Sequence, residues 1–342
     1  MALIAAPAFM YASTLDVFAP DAVYGAAFKA PDYNSGYNSL PGNGTYPRQY
    51  IQNGADFFDF AHVDSVLGPP VDGGNTHNSF NSHLIPQFQN KWILINNKFD
   101  LYNLSYRMDG RSTAGNFNRN NDARDFYRSA WYMLADNIEY TMASYEGVVP
   151  FGSGGSMLYP FTGVFDGQGF NIEGLFLEAD GARATLNLSG ERYFALFNNN
   201  AGDIKNLGIV KPSIDAASYS GGQAATAYAA GLCGYNSGLI QYCFAENAGG
   251  TIKGARAAGI CVTNAGSSSA GKGIDNVYFA GALAATDGAA FTQPIALANT
   301  GTIMNAWYDS TLYSAGSVNY GTGAATAHGK TLSCRNCHRY KS

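Results

Sequence analysis

Four segments in the second half of the chain can be laid over one another: ALFNNNAGDIKNL, GLCGYNSGLIQYC, GICVTNAG…GIDNV and PIALANTGTIMNAW. Each has an apolar run, then Asn, then a Gly-containing turn, then Ile. Leu196, Leu232, Ile260 and Ile295 share one column, at spacings of 28 to 36 residues. Asn200, Asn236, Asn264 and Asn299 fill a second, and Ile204, Ile240, Ile274 and Ile303 a third. The Asn-to-Ile gap is four residues in three copies, and the third copy carries a six-residue insertion, SSSAGK. A repeat of this size cannot bury its own apolar face. Stacked on neighbours about 4.8 Å apart, like residue lies on like residue and a continuous core results. Asn and Gly suit the corners because both tolerate left-handed backbone angles. A helical reading fails, since Gly, Asn and Thr interrupt every candidate run. The pattern predicts an all-β chain, a parallel β-solenoid. The Leu/Ile column is its expected core ladder and the Asn column its turn ladder.

The stretch PFTGVFDGQGFNIEGL, residues 160–175, has the same texture. Apolar residues alternate between small turn formers, so it reads as an early rung whose glycines turn corners. Phe161–Gly163, Phe165–Gly167, Gly169 and Ile172, followed by YFALFNNNAGDIKNLGI and AAGLCGYNSGLIQYC, resemble GLUG-motif repeat domains. FDLYNLS and SAWYMLADNIEY are similar to the entry segment of such domains, and NAWYDSTLYSAG to their final coil. The resemblance covers about residues 92–325. It implies a right-handed β-helix of the kind found in bacterial surface proteins and some phage structural proteins, with no need for a metal.

Three regions follow: an N-terminal segment 1–88, a β-helix 89–325 and a tail 326–342. The first is rich in Tyr, Phe, Asn, Gly and Pro and shows neither helical nor strand periodicity. Its aromatics, among them Phe9, Tyr11, Phe18, Phe57, Phe58 and Phe60, need burial that the segment cannot supply alone. It is expected to be an extended arm on other subunits, or else a cap on its own domain. Residues 89–108 read as a strand and then a short helical piece, and RDFYRSAWYMLADNIEY as a strand-like approach to residue 160.

Charged residues are only 13 % of the chain, about half the usual share, and the net charge is −5. No basic stripe exists to neutralise phosphates, so nucleic acid is not an expected partner. No apolar run approaches the ~18 residues of a membrane helix. The first cation is Lys29 and Pro7 breaks the leading apolar run, so no cleaved secretion signal is expected.

The sharpest chemical string is at the C-terminus. Cys334-x-x-Cys337-His338 has the form of a c-type haem attachment site, and with His328 it could supply four zinc ligands. Haem attachment needs export, which the N-terminus does not suggest, and no haem-binding helical domain precedes the motif. The expectation is therefore no cofactor, with the tail pair reduced or joined by a disulfide. Cys233 and Cys261 share a repeat column and should stack as buried hydrophobes, with Cys243 pointing inward one strand later. Glycan hydrolysis or lysis would need paired carboxylates across a groove. The acids (Asp166, Glu173, Glu178, Asp203, Asp215, Glu246, Asp275, Asp309) form no cluster at repeat spacing, and Asp166 is expected to cap the FDG turn. No His-Glu-x-x-His is present, so the zinc protease activity found beside some GLUG repeats does not carry over.

The sequence thus reads as a non-enzymatic structural or attachment protein. A virion component (decoration, spike or fibre) assembled in the host cytoplasm is expected. The alternatives are a bacterial surface adhesin, extracellular or at the cell surface, and a glycan-depolymerising spike. Its partners would be other subunits contacted through residues 1–88, in a homo-oligomer for which a trimer is one arrangement, and a cell-surface glycan.

Overall fold

The computed structural model describes residues 57–68, 80–111, 120–140, 148, 150–152, 159–177, 185–186, 191–216, 227–288, 291–313 and 324–330. Over these residues the protein is mostly β, with parallel sheets and few helices. Among the described strands the one antiparallel pair is Thr185–Leu186 with Arg192–Phe194.

The longest sheet has 13 strands and two walls. In the first wall Ile93, Tyr132, Phe165, Ile204, Ile240, Ile274 and Ile303 stand in one register row, all buried. In the second, Ile138, Ile172, Ile209, Ala245, Phe279 and Tyr308 do the same. The walls join because Gly273–Ala280 and Thr302–Asp309 run through both. A five-stranded sheet, a four-stranded sheet and a three-stranded sheet complete the β structure. Phe194, Ala229 and Ala257 of the five-stranded sheet, and Phe197, Cys233, Cys261 and Ala296 of the four-stranded one, share one apolar cluster with both walls. In-register parallel pairing is what makes this cluster continuous, since each apolar side chain covers the one before it.

The insertion in the third repeat leaves the sheets intact. It forms a short 3₁₀ turn, Ser268–Ala270, and Lys272 reaches Asp203 at 3.1 Å. It is therefore accommodated at the surface.

Two sequence expectations change. Residues 57–68 and 80–88 do not stand apart from the body. Phe57–Asp59 pairs in parallel with Trp92–Leu94 as the first strand of the longest sheet. The helix Phe60–Leu67 then buries Phe60, Val63 and Leu67 in the main core, beside Phe80 and Phe88. The boundary of an arm therefore falls before Phe57, and residues 1–56 lie outside the described residues. RDFYRS is helix rather than strand: Asn121–Ser129 places Ala123, Phe126 and Tyr127 on one buried stripe, and Asn120 Oδ1 accepts from the Ala123 N–H at 3.0 Å. The strand begins only at Trp131. The helix Lys98–Met108 is capped similarly, with Asn97 Oδ1 accepting from the N–H groups of Phe99 and Asp100 at 2.9 and 3.1 Å. No helix among the described residues is long and apolar enough to cross a membrane.

Candidate functional site

Asn200, Asn236, Asn264 and Asn299 occupy one register row of the four-stranded sheet and are 0–1 % exposed. Their side chains form a chain of amide hydrogen bonds. Asn200 Nδ2 donates to Asn236 Oδ1 at 2.8 Å, Asn236 Nδ2 to Asn264 Oδ1 at 2.9 Å, and Asn264 Nδ2 to Asn299 Oδ1 at 2.8 Å. The backbone fixes which end of each amide points where. Gly202 N–H donates to Asn200 Oδ1 and Gly238 N–H to Asn236 Oδ1, while the Nδ2 groups also donate to carbonyls, as Asn264 does to Thr302 at 3.0 Å. A flipped amide would face donors with donors. Among the described residues Asn299 Nδ2 has no acceptor, and the ladder ends there.

Leu196, Leu232, Ile260 and Ile295 are fully buried in the main core, one position before each strand of the same sheet. The backbone joins them rung to rung: Phe197 N–H to Leu232 O at 3.0 Å, Leu232 N–H to Ile260 O at 3.3 Å, and Cys261 N–H to Ile295 O at 2.9 Å. Cys233 and Cys261 are register partners, and with Cys243 they are free, buried thiols. Burial pushes the Cys243 thiol up to about 12 and holds Cys233 well above its usual value, so neither supplies a thiolate at neutral pH.

The acids are held in structural contacts. Asp166 Oδ1 accepts from Gln168 N–H and from Asn206 Nδ2, each at 2.9 Å, which makes it a turn cap. Its burial raises the carboxyl above the usual range, and these hydrogen bonds oppose the rise. Glu173 pairs with Lys211 at 2.6 Å, Asp203 with Lys272 at 3.1 Å, and Asp215 with Lys253 at 3.5 Å. Asp275 accepts from Gln241 and Asn305, both at 3.0 Å. No cluster of three or more His, Cys, Asp or Glu suited to a metal occurs among the described residues. His328 lies in the strand Ala324–Lys330, level with Trp307. Cys334, Cys337 and His338 fall outside the described residues.

No family model matches the chain, and no curated protein or solved structure matches it either.

Three further columns stand out in the structure, and the glycine one is the Gly-containing turn of the aligned segments. Gln168, Asn206, Tyr242, Asn276 and Asn305 all adopt left-handed backbone, with φ between 48° and 56°, at the corner joining the two walls of the longest sheet. Only the recurrent Asn hints at this, because the other residues have no left-handed preference. Gly163, Gly202, Gly238, Gly266 and Gly301 form a second column. A Cβ on Gly202, Gly238, Gly266 or Gly301 would press into backbone of the preceding rung, closer than real Cβ atoms approach. On the outer side of the five-stranded sheet, Tyr193, Tyr228 and Arg256 stand in register, in an apolar cluster separate from the main core for the two tyrosines. The signal for that column was the aromatic or Arg residue three or four positions before each core Leu or Ile.

Proposed function

We propose that this protein is a non-enzymatic structural and attachment protein. On this reading the parallel sheets are the walls of a right-handed β-helix of the GLUG-motif kind. Residues 1–56 are its assembly arm, and the homo-oligomer is carried on a virion as a decoration, spike or fibre component.

One observation carries the reading: the Asn ladder, three consecutive side-chain hydrogen bonds linking four repeats at 2.8–2.9 Å. Four buried amides are committed to holding one repeat on the next, which serves rigidity and length. Asp166, Glu173, Asp203 and Asp215 are similarly engaged in a turn cap or in ion pairs, and burial keeps the Cys233 and Cys243 thiols protonated. Such chemistry suits a shaft. The strand Phe57–Asp59 covers the edge of Trp92–Ile95, where an open edge would invite strand pairing, and the helix after it packs into the main core. The aromatic residues before position 57 are then left for a partner to bury.

Mass spectrometry of the native particle tests this. The chain should co-purify with other structural proteins of a virion, in stoichiometric amount and without covalent haem at Cys334 and Cys337. Recovery as a free chain outside any particle would contradict the assembly role.

A further inference from the structure

The outer face of the five-stranded sheet carries a stack of flat side chains. The rings of Tyr193 and Tyr228 lie 6.3 Å apart, the Arg256 guanidinium sits 5.2 Å from the Tyr228 ring, and it lies 4.7 Å from the Phe291 ring on its other side. Asp287 flanks the same guanidinium at 3.6 Å. Arg256 is thus held between two rings and a carboxylate, and its position is set before any ligand arrives. At the head of the stack, Glu191 Oε2 accepts from the Tyr193 hydroxyl at 2.8 Å.

Beside this stack, between the five-stranded and four-stranded sheets, is a depression of ≈ 270 Å³. Tyr228, Arg256 and Phe291 form one side of it, Glu191, Thr263 and Gln293 supply polar groups, and Val262 and Leu297 give it an apolar floor. Phe291 is 37 % exposed, one of the few large apolar side chains so open to solvent among the described residues.

The chemistry narrows the ligand. The one guanidinium on the lining is already paired with Asp287, and a second carboxylate, Glu191, lines the depression, so an anionic ligand is disfavoured there. The depression is too small for a helix, whose diameter with side chains is about 10–12 Å. The lining sets the open ring of Phe291 beside a carboxylate, a hydroxyl and an amide, and this fits a small neutral ring with an apolar face and a rim of hydroxyls.

We propose that this groove binds a neutral saccharide, with a sugar ring lying on the exposed side of Phe291 and its hydroxyls held by Glu191, Thr263 and Gln293. The site deepens the attachment reading and rests on it for its biological role. Binding by the purified chain tests the groove alone, and recovery with the particle tests the attachment reading, so either can fail without the other.

The experiment uses the full chain on an array of neutral hexose and N-acetylhexosamine oligosaccharides beside sialylated and sulfated counterparts, followed by titration calorimetry on those retained. Neutral oligosaccharides should be bound. Phe291→Ala should weaken binding about tenfold or more, since it removes the stacking surface, and Glu191→Gln should weaken it several-fold. Phe176→Ala removes an equally exposed ring elsewhere, 42 % exposed, and should change nothing. Circular dichroism of each variant checks that the fold is kept, and Glu191→Gln serves if Phe291→Ala does not fold. Retention of acidic glycans alone, no retention of any neutral glycan, or full-strength binding by the folded variants would overturn the proposal.

Discussion

The side-chain amide of Asn236 donates to the side-chain oxygen of Asn264 at 2.9 Å, across 28 residues of chain. The same bond recurs on either side, so Asn236 and Asn264 each give and receive. A buried polar ladder of this kind is stabilising only while every member is satisfied.

Asn236→Ala should therefore cost about 2–5 kcal/mol, because Asn200 loses an acceptor and Asn264 a donor in a buried row. Asn236→Asp should cost at least as much at neutral pH, since a carboxylate cannot donate to Asn264. Urea unfolding measures both. A change below about 0.5 kcal/mol would show that the ladder contributes little.

Gly238→Ala tests the close approach of neighbouring rungs. The added Cβ would press on the Gly202 carbonyl oxygen and on the amide of Asn200. Backbone on that side cannot retreat without breaking the register, so a loss of about 2–3 kcal/mol is expected from overpacking. Gly249→Ala has open space around its Cβ but a φ of +82°, so it isolates the cost of left-handed backbone alone. The glycine at 238 should be the more sensitive. A milder effect there than at 249 would contradict the packing argument.

Asp166 gives a pH signature. Burial raises its carboxyl in the folded protein above the unfolded value, near 3.8. The folded state then holds the proton more tightly than the unfolded state, so this contribution to stability is complete below about pH 4 and lost as pH rises through the folded value. Asp166→Asn keeps an oxygen that accepts from Gln168 and Asn206 and carries no charge. It should be neutral or stabilising at pH 7, and should remove that part of the pH slope. Unfolding curves from pH 4 to 8 for both proteins decide this. An unchanged slope would remove Asp166 as its source.

The repeat columns were legible in the sequence because register in a parallel sheet preserves them: residues that align also stack. Helix Asn121–Ser129 was not, since Phe126 and Tyr127 suit strands as well as helices and its Asn120 cap is only one residue. The packing of residues 57–68 and 80–88 was hidden for another reason. Phe57–Asp59 pairs with a strand more than thirty residues away, and three residues carry no readable period. The outer groove was equally invisible. Tyr228 and Thr263 belong to different sheets, and sequence alone does not say that those faces meet.

The corrected boundary makes a prediction of its own. A chain starting at Asp56 keeps the strand that pairs along Trp92–Leu94 and the helix that packs into the core, so it should unfold cooperatively with nearly the stability of the full protein. A chain starting at Asn90 lacks Phe60, Val63, Leu67, Phe80 and Phe88 of the main core. It should lose several kcal/mol and aggregate through the exposed edge at Trp92–Ile95. Equal stability of the two would show that residues 57–88 are dispensable to the fold.

The central claim is that each repeat adds one rung to a single stack. Spin labels on Thr302 paired in turn with Asp203, Val164, Trp131 and Trp92 sample one register row at increasing separation. The labels go on full-length protein with Cys334 and Cys337 replaced by Ser, and distances are read by double electron–electron resonance. The account predicts separations rising in order by about 4.8 Å per rung, from roughly 14 Å to roughly 29 Å between backbone positions. A series that fails to increase monotonically, or that levels off between Asp203 and Trp92, would contradict it.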